Sequence, residues 1–416
     1  MGPYLDYDAL RAQAMGSGND EAVTVNTRAL IDKVLARYSG EWTTLRELLQ
    51  NAADAAAKKV IVRLQTLPSA SVPVPQTTDS STRLRHVVLH HTLKSTIVEN
   101  DGIPFKGTDW SRLKKIAEGN PDETKIGAFG VGFYSVFAEC EEPFVSSGNE
   151  SLAFYWKGDA LFTKKLQLAA AQTSNTTFVL PTRNTTSPVP QLLSLCQFLA
   201  GSLTFVGLEC IELWLDEWKI LRLNKVKAPS AYLEMPKEVV RKTHDGLMEL
   251  SSVSREAAQI HAQWLKAVAW NRIMSSDIAS TESQIKGTHA TPSLRTFFSR
   301  LSSKNAAAER AVEQERALQA AISEDLMGES HATIFLHVSL ATVRTHVSQN
   351  FSVELERATK KPPPRFTTVS LLTASYDEHV APASTASSQG HDSTSIFSSV
   401  IPSKGRIFIG FPTNQS

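Results

Sequence analysis

The sequence is poor in cysteine, in net charge and in long apolar runs, and each shortage excludes a class of protein. Cysteine occurs three times in 416 residues, at Cys140, Cys196 and Cys210. So odd and scattered a set makes neither a disulfide framework nor a Cys-x-x-Cys metal pair, and a reducing compartment, cytoplasmic or nuclear, is expected. Lysine and arginine total 43 against 42 acidic residues, a formal charge of +1. No overall field therefore draws the chain to nucleic acid or to anionic lipid, and either partner would need a local patch. The most apolar stretch, Leu192 to Leu208, is slightly short of a bilayer span, is interrupted by Gln197 and runs at once into Glu209 and Glu212. It reads as a buried helix followed by a strand. The opening segment, MGPYLDYDALRAQA, has neither the basic nor the apolar region of a signal peptide, and Asp6 stands where N-myristoylation wants Ser or Thr. Secretion, a membrane span and an N-terminal lipid are all unexpected.

What is present is apolar material for two or three cored domains, 42% hydrophobic against 20% charged. Residues 1–20 are polar and Gly-containing and read as a loose N-terminus. Thr27 to Tyr38 and Glu41 to Lys59 have helical spacing, separated by Ser39-Gly40; Val60 to Gln65 is strand-like. The Pro/Ser/Thr-rich run 67–82 is expected to be a surface insertion, followed by a strand around Arg85 to His90 and another from Ser95 to Glu99. Helices are expected at Trp110 to Glu118, Phe133 to Glu139 and Gln191 to Ala200, a strand at Thr176 to Leu180, and a hairpin in IELWLDE and WKILRLN. Helices and strands thus mix through residue 224, as in an α+β sandwich. From Pro236 to about Met327 the composition turns to Ala, Glu, Gln, Arg and Leu with helical spacing, so 225–330 is expected to be a helical segment. Strands are expected again at Ala332 to Val347, Phe351 to Arg357, Phe366 to Thr373 and RIFIGF, in a partial second α/β domain, 331–416, that reads as truncated.

Three segments carry chemistry. Glu47, Asn51 and Asp54, spaced by four and three, fall on one face of the helix WTTLRELLQNAADAAAKK. Alone they would pass for a solvated stripe opposite Leu45, Leu48 and Leu49. Asn100-Asp101-Gly102 ends a β-rich run, IVENDG, where a carboxylate and a bare backbone can meet a ligand, although a plain turn explains the triplet as well. Gly127, Gly130 and Gly132 in GAFGVG open a helix, a pattern suited to phosphate oxygens and equally to close helix packing.

Together and in this order, ELLQNAADA, NDGIPF and IGAFGVGFYSVF resemble the nucleotide-binding motifs of the superfamily shared by gyrase, the ninety-kilodalton heat-shock chaperones, histidine kinases and MutL, with NTTFVL at the place of its final threonine strand. Within it the chain looks most like sacsin-type proteins, fungal ones in particular, through YSGEWTTLRELLQNAADA, NDGIPF, a Trp-containing helix after it, and TTFVLPTR. The motifs span residues 41 to 183. The resemblance implies a Bergerat-type ATP-binding α/β sandwich over 21–224, a mixed sheet with helices on one face, whose lid is 106–126. It implies ATP and Mg²⁺ as ligands, and chaperone-like partners: client proteins, co-chaperones or a second copy of the chain.

Roles follow residue by residue. Glu47 would activate the attacking water; Asn51 would hold Mg²⁺ through its amide oxygen, supported by Asp54. Asp101 is the preferred acceptor for the adenine amino group, with Asn100 facing the base in the other register, and Gly102 would let the base approach. Gly127, Phe129, Gly130, Val131, Gly132 and Phe133 would offer backbone N–H groups to the phosphates, and Lys125 a cation, or else remain an ordinary solvated lysine. Thr176 would complete the adenine pocket through its hydroxyl. Two departures stand out: Pro104 replaces the second glycine of the usual second motif, and Ala128 stands where the chaperones carry glutamine. The cation that such sites take from the next domain has four candidates, Arg344, Arg365, Lys404 and Arg406.

The reading that follows is Mg-dependent ATP binding with slow hydrolysis that moves a lid and the next domain. A nucleotide-binding scaffold without turnover competes with it. A histidine kinase would need a phosphoacceptor on a helix before the asparagine motif, and the one helical candidate, His261, comes after it. A DNA-repair ATPase would be expected to show a basic stripe, which the balanced charge does not supply. His90-His91 reads as the end of a strand, with no further ligand for a metal.

Overall fold

Alternation of apolar and polar residues builds the central strands. In β1 (Lys59–Leu67), Val60, Val62 and Leu64 are buried while their neighbours reach the other face. The computed structural model describes residues 26–36, 40–114, 132–167, 174–270, 325–359 and 366–375, with a few isolated positions besides. The expectations for 115–131, which include Gly127 and Gly130, for 271–324 and for most of the segment after 375 lie outside the described residues.

Around β1 lie β2 (Thr92–Asn100), β3 (Phe144–Ser147), β4 (Glu150–Lys157), β5 (Ala160–Gln167), β6 (Thr176–Pro181), β7 (Cys210–Leu215), β8 (Trp218–Lys227), β9 (Ala231–Leu233), β10 (Met248–Leu265), β11 (Glu329–Thr345) and β12 (Phe366–Ser375). They form one mixed sheet in the order β12-β11-β10-β8-β7-β1-β2-β6-β3-β4-β5, with β9 paired to β10. β1 and β7 run parallel; the other pairs are antiparallel. Two-residue turns, Gly148-Asn149 and Gly158-Asp159, fold β3 to β5 into a meander, each using a left-handed glycine as such turns require.

Cross-strand register aligns successive rows on the covered face. One is Leu213, Val62, Val98, Phe178 and Val145, all buried. The helices are α1 (Thr27–Leu35), α2 (Thr43–Asp54), α3 (Ser80–His90), α4 (Gly107–Leu113), α5 (Leu192–Phe205) and α6 (Gln349–Thr359), with a 3₁₀ turn at Gly132–Ala138. Buried residues of α1, α2 and α5 join those of the sheet in a single hydrophobic cluster, and each fully buried leucine contributes about 1.5–3 kcal/mol. The molecule is thus α+β, as expected. Among the described residues no helix is long and apolar enough to cross a membrane.

Several expectations are corrected. Arg85 to His90 is helix, because Asp79 caps α3 by accepting from the Thr82 N–H at 2.8 Å and Leu84 and Val87 bury one side of it. His90-His91 therefore closes a helix, not a strand. The asparagine helix stops at Asp54 and Lys59 already begins β1; the segment after Gly132 is 3₁₀ rather than α-helical. Phe351 to Arg357 is part of α6. The largest correction is β10: the stretch REAAQIHAQWL, read as helix, is strand, paired to β8 on one side and β11 on the other. Its Ala258, Ile260 and Ala262 alternate into the core, and two neighbouring strands override the helix propensity of alanine and glutamine. β10 also carries the first sheet past residue 224, where a boundary was expected.

Candidate functional site

Helix α2 presents Leu45, Leu48, Leu49 and Ala52 to the core, which turns Glu47, Asn51 and Asp54 to a half-buried stripe on another side. Glu47 meets the glycine-rich segment: a side chain at Gly132 would overlap its carboxylate, so only glycine allows the approach. Burial raises the carboxyl pKa of Glu47, with the Arg46 guanidinium opposing. The α2 C-terminus touches the second segment. Ala55 accepts from the Ile103 N–H at 2.8 Å, and a Cβ at Gly102 would lie 2.9 Å from both Ala55 Cβ and its carbonyl oxygen.

Asn100 and Asp101 part company there. Asp101 is exposed, and its Oδ1 accepts from the backbone N–H groups of Lys58 and Lys59, both at 2.8 Å, tying down the entry to β1. Asn100 is buried, and its Oδ1 accepts from the Gly102 N–H at 3.1 Å. Register places Asn100 beside Thr176 on β6, and Thr176 beside Ser147 on β3. The Ser147 and Thr176 hydroxyls share a hydrogen bond of 2.6 Å, and Ser147 Oγ also accepts from the Phe105 N–H at 2.9 Å. All three side chains are buried. The row Asn100, Thr176, Ser147 is a buried polar patch next to Gly102. Ser147 escaped the sequence reading because its place beside Thr176 depends on pairing distant strands; the alternating ESLAFYWK after a Ser-Gly-Asn turn was the one local sign of that meander.

The start of the expected lid is anchored. Trp110 of α4 is buried against Phe105, ring centroids 5.1 Å apart, and the Tyr134 hydroxyl donates to the Leu113 carbonyl at 3.1 Å. Phe133 packs its ring against Phe154 and Phe178, so only its backbone is available to a ligand. Lys125, Gly127, Phe129, Gly130 and Val131 lie outside the described residues, as do Arg365, Lys404 and Arg406. Arg344 sits on β11 with its guanidinium 5.3 Å over the Phe366 ring, four strands from β1. His261 stands on β10, where its Nδ1 shares a 2.9 Å hydrogen bond with Thr333 Oγ1; a strand position removes the helix that a phosphoacceptor reading needs. The rings of His86, His90 and His91 cluster, and burial lowers the pKa of His86 and His91. Among the described residues, no three His, Cys, Asp or Glu side chains are arranged to hold a metal.

Two family models match the chain. A sacsin-domain model matches residues 24–165, which include Glu47, Asn51 and Asn100; the model described as "Protein of unknown function (DUF3684)" matches residues 203–416. The latter covers half of the chain, and the chain belongs to that family. Relatives at low identity are chaperones. The chaperone protein HtpG of Methylobacterium sp. (strain 4-46) is 34% identical over 131 residues, 28% of this chain and 21% of that protein. HtpG of Methylobacterium nodulans is 31% identical over 166 residues, 36% and 26% of the two chains, and an endoplasmin homolog of Dictyostelium discoideum is 27% identical over 135 residues, 30% and 17%. This chain thus spans about a quarter or less of the length of these relatives. A solved structure, the N-terminal domain of a DNA repair protein, is similar at a TM-score of 0.31 and 10% identity, covering 57% of this chain and 71% of that one, too slight a likeness to argue from.

Proposed function

We propose that this chain binds a Mg-nucleoside triphosphate, ATP in the first place, in a Bergerat-type site between α2, the Asn100–Gly102 segment and the loop ending at Gly132, and hydrolyses it slowly to move a lid and the following strands in a chaperone-type protein. The observation that carries the reading is the contact of Glu47 with Gly132: it joins an acid on the asparagine helix to the end of the glycine-rich sequence. Support comes from the sacsin-domain match and the chaperone relatives.

In this reading Glu47, its pKa raised by burial, takes the proton from the attacking water. Asn51, half-buried one turn further along α2, and Asp54 below it are the oxygen donors that suit a hard cation. The chemistry a bound Mg²⁺ supplies is neutralisation of phosphate charge. Gly127, Gly130 and Gly132, with the backbones of Phe129, Val131 and Phe133, cradle the phosphates, and Lys125 adds a cation. The base lies over Gly102 and the Asn100, Thr176, Ser147 row, with Asn100 in the role first given to Asp101, because Asp101 is spent on the Lys58 and Lys59 N–H groups. Client proteins and a homodimer are the partners this function calls for, and a cation from residues 331–416 would complete the site.

The test is calorimetric titration of the full chain with Mg²⁺ and purine nucleoside triphosphates, beside phosphate release, on the native chain and on Glu47→Ala and Asn51→Ala. Binding with slow release that Glu47→Ala abolishes is expected. Binding without release would favour the scaffold reading, which the distance of Arg344 from β1 in strand order supports. No binding of any purine nucleotide would return these motifs to structural roles.

A further inference from the structure

We infer that the open edge of β12 pairs with β12 of a second copy of this chain, antiparallel about a two-fold axis at Leu371, so that the sheets of the two copies join into one. The inference is independent of the nucleotide-site reading and concerns one end of the sheet.

β12 is the last strand at that end. β11 covers one side of it, from Phe366 opposite Arg344 to Ser375 opposite Phe335, without a break in register. Among the described residues no strand pairs with its other side. Every second residue of an antiparallel strand turns its N–H and C=O toward a given neighbour, so about half of these groups on β12 point to the open side. A long edge of this kind is a template for further pairing, and proteins blunt it with charge or proline. The two ends of this sheet differ in that respect. β5, at the far end, carries Lys164 and Lys165, both exposed. β12, FTTVSLLTAS, has neither a charged residue nor a proline, and its Thr367, Thr368, Val369 and Thr373 are β-branched residues that favour pairing. The short later strands, Phe408–Ile409 and Phe411–Pro412, pair with each other, and the second contacts α5, so they are not the missing neighbour. The run 381–395 is rich in Ser, Thr and Ala, contains Pro382 and Gly390, and has no strand alternation.

The charges that flank β12 in sequence select a second copy. Lys360, Lys361 and Arg365 precede the strand, and Asp377 and Glu378 follow it. Two copies laid antiparallel bring the basic flank of each to the acidic flank of the other, twice by symmetry, whereas a parallel pair sets like charge against like. A strand of other origin finds no charge on β12 itself to recognise. Symmetry also restricts the register, because a two-fold axis normal to the sheet makes one residue face its own copy. Arg365 and Asp377 stand equally far before and after Leu371, as do Phe366 and Tyr376, so centring on Leu371 opposes an ion pair and an aromatic pair at each end of the ladder. Centring one residue earlier or later opposes Arg365 to Ser375 or to His379 and loses the ion pair. Pro362 to Pro364 end the ladder just beyond, since proline has no N–H to donate.

The test is sedimentation equilibrium of the full chain, native and as Arg365→Glu, Asp377→Arg and the double variant with both changes, all of them outside the strand. The native chain is expected to be a reversible dimer. Each single reversal sets like charges opposite at both ends of the ladder and is expected to raise the dimer dissociation constant about tenfold; the double variant, which exchanges the charges, is expected to restore it. Hydrogen exchange over Phe366–Ser375 is expected to slow as protein concentration rises. A monomeric native chain overturns the inference, whether another segment of the chain or a different protein covers the edge. So does a dimer that neither single reversal weakens, or one in which the β12 amides exchange at a rate independent of concentration, because either places the contact elsewhere. Assemblies larger than a dimer overturn the closed two-fold pairing. The native measurements decide the matter even where a variant fails to fold, and no outcome depends on nucleotide.

Discussion

Single side chains at the candidate site are set by what surrounds them, and two of them give direct tests. Glu47 has its pKa raised by burial, so the folded state disfavours the carboxylate and that cost is present above the raised pKa. Glu47→Gln is expected to raise the melting temperature at pH 7 by about 1 °C or more, with the gain fading as the pH falls into the ordinary carboxylate range. Thermal melts at pH 7 and pH 4 check this; a gain independent of pH would mean the charge is not the cause. Gly132→Ala drives a methyl group into the Glu47 carboxylate. Phosphate release is expected to fall at least tenfold while circular dichroism stays native, since the 3₁₀ turn tolerates alanine; a loss of fold would place the residue in packing instead. Glu47 and Gly132 stood out as candidates in the sequence, because the motif order points to them. The division of labour between Asn100 and Asp101 did not: it depends on the start of β1, which captures Asp101 from a different strand.

At the scale of the element, α2 and α5 each end in a way that can be tested. α2 stops with Ala56 in the left-handed region, φ 57°, where the Ala56 N–H bonds the Ala53 carbonyl and the Ala57 N–H the Ala52 carbonyl. That is the closing loop in which glycine is usual, and alanine is strained there. Ala56→Gly is expected to stabilise the protein by about 0.5–1 kcal/mol in urea denaturation. α5 ends against Lys225 of β8, whose Nζ donates to the Leu203 and Val206 carbonyls. Burial, helped by Lys227 and opposed by Glu256 and Glu209, pulls its pKa down to about 7 from 10.5. Between these values the unfolded chain holds more proton than the folded one, so stability rises with pH across that window. Melting temperatures from pH 7 to 9.5, compared with Lys225→Met, should show the native chain gaining on the variant; parallel curves would refute the buried cation. Helix α3 teaches the same lesson for reading sequence: HVVLHH invites a strand, but the Asp79 cap upstream decides for helix.

Over the whole molecule, β10 matters most. It joins β8, in the part that ends the hairpin, to β11 and β12 through continuous pairing. The two regions matched by different families therefore share one sheet, and movement of the later strands would pull on β8 and, through it, on β7, the parallel partner of β1. Ile260, fully buried in the middle of β10, holds this junction. Ile260→Ala is expected to cost about 2–4 kcal/mol, read by urea unfolding as a single shifted transition; two separate transitions would show that the halves unfold independently.

The sequence by itself pointed to the segments of the proposed site and to β1, β2, β6, β7 and β8, because helix faces, turns and alternation are local properties of a few residues. Tertiary structure alone decided that REAAQIHAQWL is a strand, that Ser147 joins Thr176 and Asn100 in one buried row, and that Asp101 is diverted to the backbone of β1. Each of those depends on which distant strand lies alongside, and strand pairing is settled by the register of the whole sheet rather than by any window of the chain.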